Sequence, residues 1–449
     1  MKHYKFLFLM SLFLSGSLYS ADNSQKIFDV AKMGAIPNTV ATNTAAINAA
    51  IAKCSESGGG TVVISGGEYI VGTIILKDNV TLNIPEGSAL RGSKNLKDYI
   101  FPRKGENEKI PSTRWLRALI YGVGVKNVRI TGGGVIDGCH LEDYAGEEKM
   151  RGPHGIFIGD AENVSVDNLQ ICRAGNYAVM MQEVRDVKCT NLKIDEGWDG
   201  VHVRGCENLV IKDCEFHTGD DCIAGGRWKN AKISSCLINS ACNGFRLIGP
   251  AENLLMENCK FFGDGKYTHR SSYNRKRRDM LSAMILQPGA WSKSPGPLKN
   301  VRIKNIEADN MRNLISLYPN EENEIDGVYF ENVKGVNIGV QAIQIENWQP
   351  SSTMKNIFLK NFDVQYKGNP PESITPNIPL TPRGLDARAL PVWGFFAKNI
   401  DGLTLENISL RLSGKDPRKA AYIEDVSNVK VSGLSINGKS CGTDDMRSK

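Results

Sequence analysis

Apolar and polar residues alternate along this chain in short bursts, and the bursts recur. From Lys126 onward a polar residue, usually Asn, leads into alternating apolar positions: Lys-Asn-Val-Arg-Ile, Glu-Asn-Val-Ser-Val, Arg-Asp-Val-Lys-Cys, Glu-Asn-Leu-Val-Ile, and so on. The leading residues are Asn127, Asn163, Asp186, Asn208, Asn230, Asn253, Asn300, Asn356 and Asn428. Between 163 and 253 they stand 23, 22, 22 and 23 residues apart, and the 47 residues from 253 to 300 make about two such steps. Period-two alternation bounded by Gly, Asn and Asp predicts short strands and turns. Self-similarity at a fixed period of this size predicts a solenoid. One coil cannot bury its apolar face alone, but coils stacked in parallel pair their backbones with the next coil and enclose a continuous core. The expected fold is therefore all-β, a single right-handed parallel β-helix.

The ends and interruptions of the pattern complete the layout. Asn43 to Cys54 is Ala-rich with Ile47, Ile51 and Cys54 on one helical face, and Gly58-Gly59-Gly60 follows. It reads as a short amphipathic helix that covers the open strand edges of the first coil. A cap at about 28–60 and coils over about 61–437 make residues 21–449 one domain. Thr61-Val62-Val63-Ile64 and Val80-Thr81-Leu82-Asn83-Ile84 are the first coils. Inserts break the period at about 139–152, 264–282, 287–298 and the Pro-rich 366–392; such loops either shape a groove or are surface excursions.

Residues 1–20 carry a basic start, an apolar run from Phe6 to Leu14 and small residues near Ser20-Ala21. That is the pattern of a cleaved secretory signal, and the run is roughly half the ~20 residues that a membrane span needs. The chain is expected to be secreted or periplasmic, without membrane insertion. Eleven cysteines would then suggest disulfides. However, Cys214, Cys236 and Cys259 fall at matching places in successive coils, which predicts a buried stack of small apolar side chains instead. Zinc is disfavoured by the lack of a Cys-x-x-Cys pair. The formal charge of +6 suits an anionic polymer without pointing to nucleic acid.

The period also places acidic residues in space. Asp199 and Asp221 are 22 residues apart, and each stands nine before its own anchor, so both occupy one station on adjacent coils, with Asp220 beside them. Carboxylates this close repel one another and raise at least one pKa, the condition an acid catalyst needs near neutral pH. A structural calcium site or a solvated turn are the alternatives. The same register puts Tyr177 before Asp199 and Asn243 after Asp221, with His202 and Arg246 nearby and two coils apart. These four are candidate substrate-binding residues.

At these residues the chain resembles the polygalacturonase-like glycoside hydrolases of family 28, which have the pectin-lyase-like β-helix. The likeness runs from Phe28-Asp29-Val30 and Gly34-Ala35 through Gly58-Gly59-Gly60-Thr61-Val62-Val63 and Leu82-Asn83-Ile84-Pro85-Glu86-Gly87 to Gly219-Asp220-Asp221-Cys222-Ile223-Ala224. The resemblance implies an inverting hydrolase of a plant or algal, anionic polysaccharide or its oligosaccharides. Asp220 would be the general acid, and Asp199 and Asp221 would activate water. No metal or other cofactor is implied. An inverting pair is expected to leave roughly 6.5–9.5 Å between its carboxyl groups.

Two family motifs are absent. Cys242-Asn243-Gly244 stands where Gly-His-Gly is expected, and Met284-Ile285-Leu286-Gln287 where Arg-Ile-Lys is expected. The literal Arg302-Ile303-Lys304 follows Asn300 in the wrong phase. Arg246 and the run Arg270, Arg275, Lys276, Arg277, Arg278 are candidates for a different anionic subsite, the run being otherwise a solvated basic loop. A polysaccharide lyase or a non-catalytic glycan-binding solenoid are the competing functions, because function resides in the site rather than the fold.

Overall fold

Alternating side chains and parallel stacking give the predicted solenoid. The computed structural model describes residues 26–270, 276–382 and 384–447; the expected secretory signal lies outside them. The chain winds into a right-handed parallel β-helix. In the middle coils Val179, Val201, Ile223 and Phe245 are successive register partners at a step of 22 residues. Their side chains point inward and join one continuous apolar core that runs the length of the helix. The stack Cys214, Cys236 and Cys259 is buried within it, and all eleven cysteines are unpaired.

The two ends are closed differently. The helix Thr44–Glu56 covers the first coil and buries Ile47, Ala50, Ile51 and Cys54. At the far end Lys439–Cys441 folds back antiparallel on the last coil, and Met446 of the short helix Thr443–Arg447 is buried beyond it. Both devices cover strand edges that would otherwise recruit another chain. Among the described residues no helix is long and apolar enough to cross a membrane.

The recurring Asn is a corner residue. Asn127, Asn163, Asp186, Asn208, Asn230 and Asn253 all have φ between 55° and 62°, a left-handed conformation that Asn tolerates better than most side chains. Each coil's amide then donates to the side-chain oxygen of the coil before it: Asn163 to Asn127, Asn208 to Asp186, Asn230 to Asn208, Asn253 to Asn230, at 2.8–3.1 Å. A second ladder starts five residues later, through Asn191 to Asn168, Asn305 to Asn258 and Asn332 to Asn305. Its repeat is hidden in the sequence by Asp213 and Ser235, which take the same conformation.

Outward-facing residues of the strands that precede these corners, and of the turns that lead into those strands, form straight files up the solenoid. His154, Tyr177, Asp199, Asp221 and Asn243 share one file, each two residues before the register partners Ile156, Val179, Val201, Ile223 and Phe245. Met180, His202, Ala224, Arg246 and Ile285 form the next. Gln182, Arg204 and Gly226 form a third.

Candidate active site

Backbone packing fixes the aspartates first. Gly197 and Gly219 are one coil apart, and a Cβ on Gly219 would come within 2.5 Å of the Gly197 carbonyl oxygen. A Cβ on Gly200 would lie 2.4 Å from the Cys222 carbonyl oxygen. Glycine is therefore required at both places for the turns to stack. The Asp220 carbonyl accepts from the hydroxyls of Thr218 and Ser240 at 2.7 and 2.6 Å. These contacts bring Asp199, Asp220 and Asp221 together, with one carboxylate oxygen from each within 4.8 Å of the others.

The nearest oxygens of the cluster stand closer together than the roughly 6.5–9.5 Å expected between the carboxyl groups of an inverting pair. Each coil advances only about 4.8 Å, so carboxylates on adjacent coils at one station cannot stand much farther apart.

Tyr177, Asn243, His202 and Arg246 all lie against the cluster, as the register predicts. His202 Nδ1 is 2.6 Å from Asp199 Oδ2, and its ring stacks on Tyr177 with centroids 4.7 Å apart. Arg204 Nε donates to His202 Nε2 at 3.1 Å, so Nε2 is the acceptor and Nδ1 carries the proton given to Asp199. Asn243 donates twice to Asp221 Oδ1, from its backbone N at 3.2 Å and its side chain at 2.9 Å. Arg246 Nη1 lies 3.7 Å from Asp221 Oδ2, and Nη2 lies 3.5 Å from Asp386.

The inserts supply what the period does not reveal. Arg151, from the first, places Nη2 3.4 Å from Asp220 Oδ2, with its guanidinium 3.9 Å over the buried Trp198 ring. His269, from the second, brings Nε2 to 3.7 Å from Asp220 Oδ1. An imidazole thus reaches the aspartates from a loop although Asn243 stands where a histidine was expected. The third insert carries Trp291 over Arg246 at 5.2 Å, and the fourth gives the Leu385 carbonyl, which accepts from Arg246 at 3.0 Å. All four inserts therefore wall the site. The first two also touch each other, through Arg270 with His140 and Glu142, while His140 pairs with Glu196 at 2.8 Å. Beside the second insert lies a cavity of about 230 Å³ lined by Glu196, Tyr267, Thr268, His269 and Arg270.

The remaining predicted cations divide. Arg278 is tied to the Gly265 and Lys266 carbonyls of its own loop, and Arg275 lies outside the described residues. Arg302 stacks on Tyr329 and Lys304 pairs with Glu257, remote from the aspartates. At the station where Arg-Ile-Lys was expected, the outward side chain beside Arg246 is Ile285.

Electrostatics splits the three carboxyls. Burial, then the charges of Asp220 and Asp221, push Asp199 well above the carboxylate range. Burial pushes Asp221 up to about 6 against the pull of Arg246. Asp220 is buried too, but His269 and Arg151 outweigh that penalty and hold it below its ordinary value. Protons therefore bind more readily at Asp199 and Asp221 than at Asp220. The side chain of Asp220 is 15% exposed, against 4% and 9% for Asp199 and Asp221, so it is the member that meets an incoming ligand. The cluster has the donor types for a divalent cation, but Arg151 and Arg246 already supply positive charge on two sides.

The profile of glycosyl hydrolases family 28 matches residues 54–244, the stretch that runs from the end of the helical cap through all three aspartates to Asn243. A probable polygalacturonase of Vitis vinifera is 24% identical over 208 residues, 42% of each chain. An exopolygalacturonase of Arabidopsis thaliana, clone GBGE184, is 22% identical over 360 residues, 74% of this chain and 78% of its own. The match thus spans less than half of the first relative and most of the second. Yersinia enterocolitica family 28 exopolygalacturonase superposes with a TM-score of 0.66 at 18% identity, covering 91% of this chain and 79% of that one. Fold, matched segment and relatives together make the chain similar to the polygalacturonases of glycosyl hydrolases family 28.

Proposed function

We propose that this protein hydrolyses glycosidic bonds in a galacturonate-containing polysaccharide or its oligosaccharides, with Asp199, Asp220 and Asp221 as a single acid–base unit. The observation that carries this reading is three carboxylates of unlike proton affinity within 4.8 Å of one another. Groups pushed apart in pKa are what acid and base roles require. In the reaction, one proton passes from the unit to the oxygen of the departing sugar as its bond to the anomeric carbon breaks. A water attacks that carbon and returns a proton to the unit, so the carboxyls end as they began.

Asp220, the member open to solvent, delivers the proton, which it draws from the pool on Asp199 and Asp221. His202 and Asn243 fix the oxygens of those two aspartates toward the attacking water. Inversion follows if that water approaches opposite the leaving oxygen, and proton NMR of the first-formed anomer tests it. A retained anomer would assign one aspartate as a nucleophile instead.

The walled site supports action at chain ends. The joined inserts at 139–152 and 264–282 close one side, and 366–392 lies over Arg246 on the other. The relatives include exopolygalacturonases. The decisive experiment is reducing-end release from polygalacturonan with the wild type and Asp220→Asn. Monomer as the sole early product supports end action. Equal rates in the two proteins would remove the assigned unit, and ultraviolet-absorbing products would indicate a lyase. The likeness to hydrolases disfavours that last outcome.

A further inference from the structure

The unit's surroundings leave one cation unaccounted for. Arg204 stands next to His202 on the outward face of the same strand, two residues on. Its Nε is used by His202, and among the described residues its guanidinium makes no ion pair with a carboxylate. Its register neighbours are Gln182 and Gly226, neither acidic, and the nearby Glu183 is taken by Arg227. The guanidinium lies 5.0 Å from the ring centre of Trp115, and both residues are partly exposed. Trp115 in turn meets Tyr177 edge-on at 5.5 Å.

A guanidinium whose two Nη groups are not claimed by an acid, braced on an aromatic face, is arranged to take a carboxylate in the plane of its fork. The glycine on the next coil puts no side chain beside it. The station expected to hold a cationic motif carries Ile285 instead, so the sugar's charge must be met elsewhere. Arg246 cannot meet it, being 95% buried and engaged by Asp221, Asp386 and the Leu385 carbonyl.

We propose that Arg204 and Trp115 form a subsite for an anionic sugar unit adjacent to the aspartates, with Arg204 binding its carboxylate and Trp115 its ring. The proposal rests on the hydrolytic reading of the aspartates but makes a separate claim about charge. Because Arg204 also donates to His202, which donates to Asp199, occupancy of the subsite is linked to the position of the water-activating carboxylate.

The test is calorimetric binding of trigalacturonate and of its fully methyl-esterified form to the Asp220→Asn protein, with and without Arg204→Gln. The expected result is at least tenfold weaker binding of the acid in the double variant and less than twofold change for the ester. A sulfated oligosaccharide forms a third arm: if it alone binds in an Arg204-dependent way, the subsite takes sulfate and the carboxylate assignment is overturned. Equal loss for acid and ester would show that Arg204 merely shapes the site, and would overturn the proposal. So would no change in either, or no binding of any of the three glycans to the parent. Trp115→Ala checks the stacking half, with weakening of both acid and ester expected. Unchanged activity in Asp220→Asn would sink the hydrolytic unit without altering how these titrations read.

Discussion

The same helical step builds two unlike regions. At the corners it stacks Asn on Asn, each amide donating to the one on the coil before it, and every rung repeats a contact that is favourable by itself. On the outward face, two residues before Val179, Val201, Ile223 and Phe245, it stacks Tyr177, Asp199, Asp221 and Asn243, so that one Asp falls directly on another. There the repeat forces two carboxylates to within one coil spacing, an arrangement that stability does not favour. Register serves structure where the stacked groups are complementary, and chemistry where they conflict.

The largest expected break between the two regions is catalytic. Asp220→Asn should lower hydrolysis by roughly 100- to 10,000-fold, the span of general acid–base catalysis, with oligosaccharide binding retained by calorimetry. Asn230→Ala in the ladder should leave the rate unchanged. Next comes pH. Asp221 is pushed up to about 6, so it holds its proton below that value and loses it above. With a single deprotonation controlling the rate, kcat should fall about tenfold per pH unit on the alkaline side of 6. A rate flat from pH 5 to 8 would mean that the transferred proton is not the one held there.

Stability should respond with opposite signs inside the cluster. Asp221 binds its proton more tightly folded than unfolded. Its stabilising contribution is therefore complete below the ordinary value of 3.8 and lost as pH rises through about 6. Above that, the folded chain holds a buried charge among like charges, a cost of at most about 3 kcal/mol for a shift of this size. Asp221→Asn should therefore raise the melting temperature at pH 8 and change it little at pH 4. For Asp220, held down by His269 and Arg151, the linkage reverses: its contribution is present above 3.8 and lost as pH falls through its depressed value. Asp220→Asn should lower the melting temperature at pH 8. Thermal unfolding of both variants at the two pH values decides the signs.

What could be read in advance follows the same division. The period brought together the three aspartates, Tyr177, His202, Asn243 and Arg246, which belong to strands or their adjoining turns. A residue's place on a coil follows from counting once the step is known. Arg151, His269, Trp291 and Asp386 were missed because they ride on inserts, where no period applies and contacts span up to 139 residues, as between Arg246 and Leu385. Arg204 and Trp115 were missed for a different reason. Arg204 was within reach of the register, two residues after His202, but its significance depends on an aromatic partner from an irregular segment. The second corner ladder escaped because Asp213 and Ser235 adopt the corner conformation without an Asn to mark it.

The smallest effect separates what an Asn rung contributes from what its backbone demands. Asn230 has φ 57°, donates to Asn208 and accepts from Asn253. Glycine at 230 would lose these side-chain bonds but keep the left-handed turn without strain; alanine would lose the bonds and add a Cβ penalty of about 1–2 kcal/mol. Exposed side-chain bonds of this kind contribute about 1 kcal/mol or less each. Glycine already fills the corner at 327 and 402, with φ of 73° and 90°, so the solenoid tolerates loss of the amide there. Asn230→Gly should therefore destabilise by about 1 kcal/mol and Asn230→Ala by about 1 kcal/mol more, in urea unfolding at neutral pH, with hydrolysis unchanged in both. If the two substitutions cost the same, the amide contacts and not the corner conformation set the identity of the repeat. If either changes the rate, the ladder and the site are coupled, and the division drawn between the two regions fails.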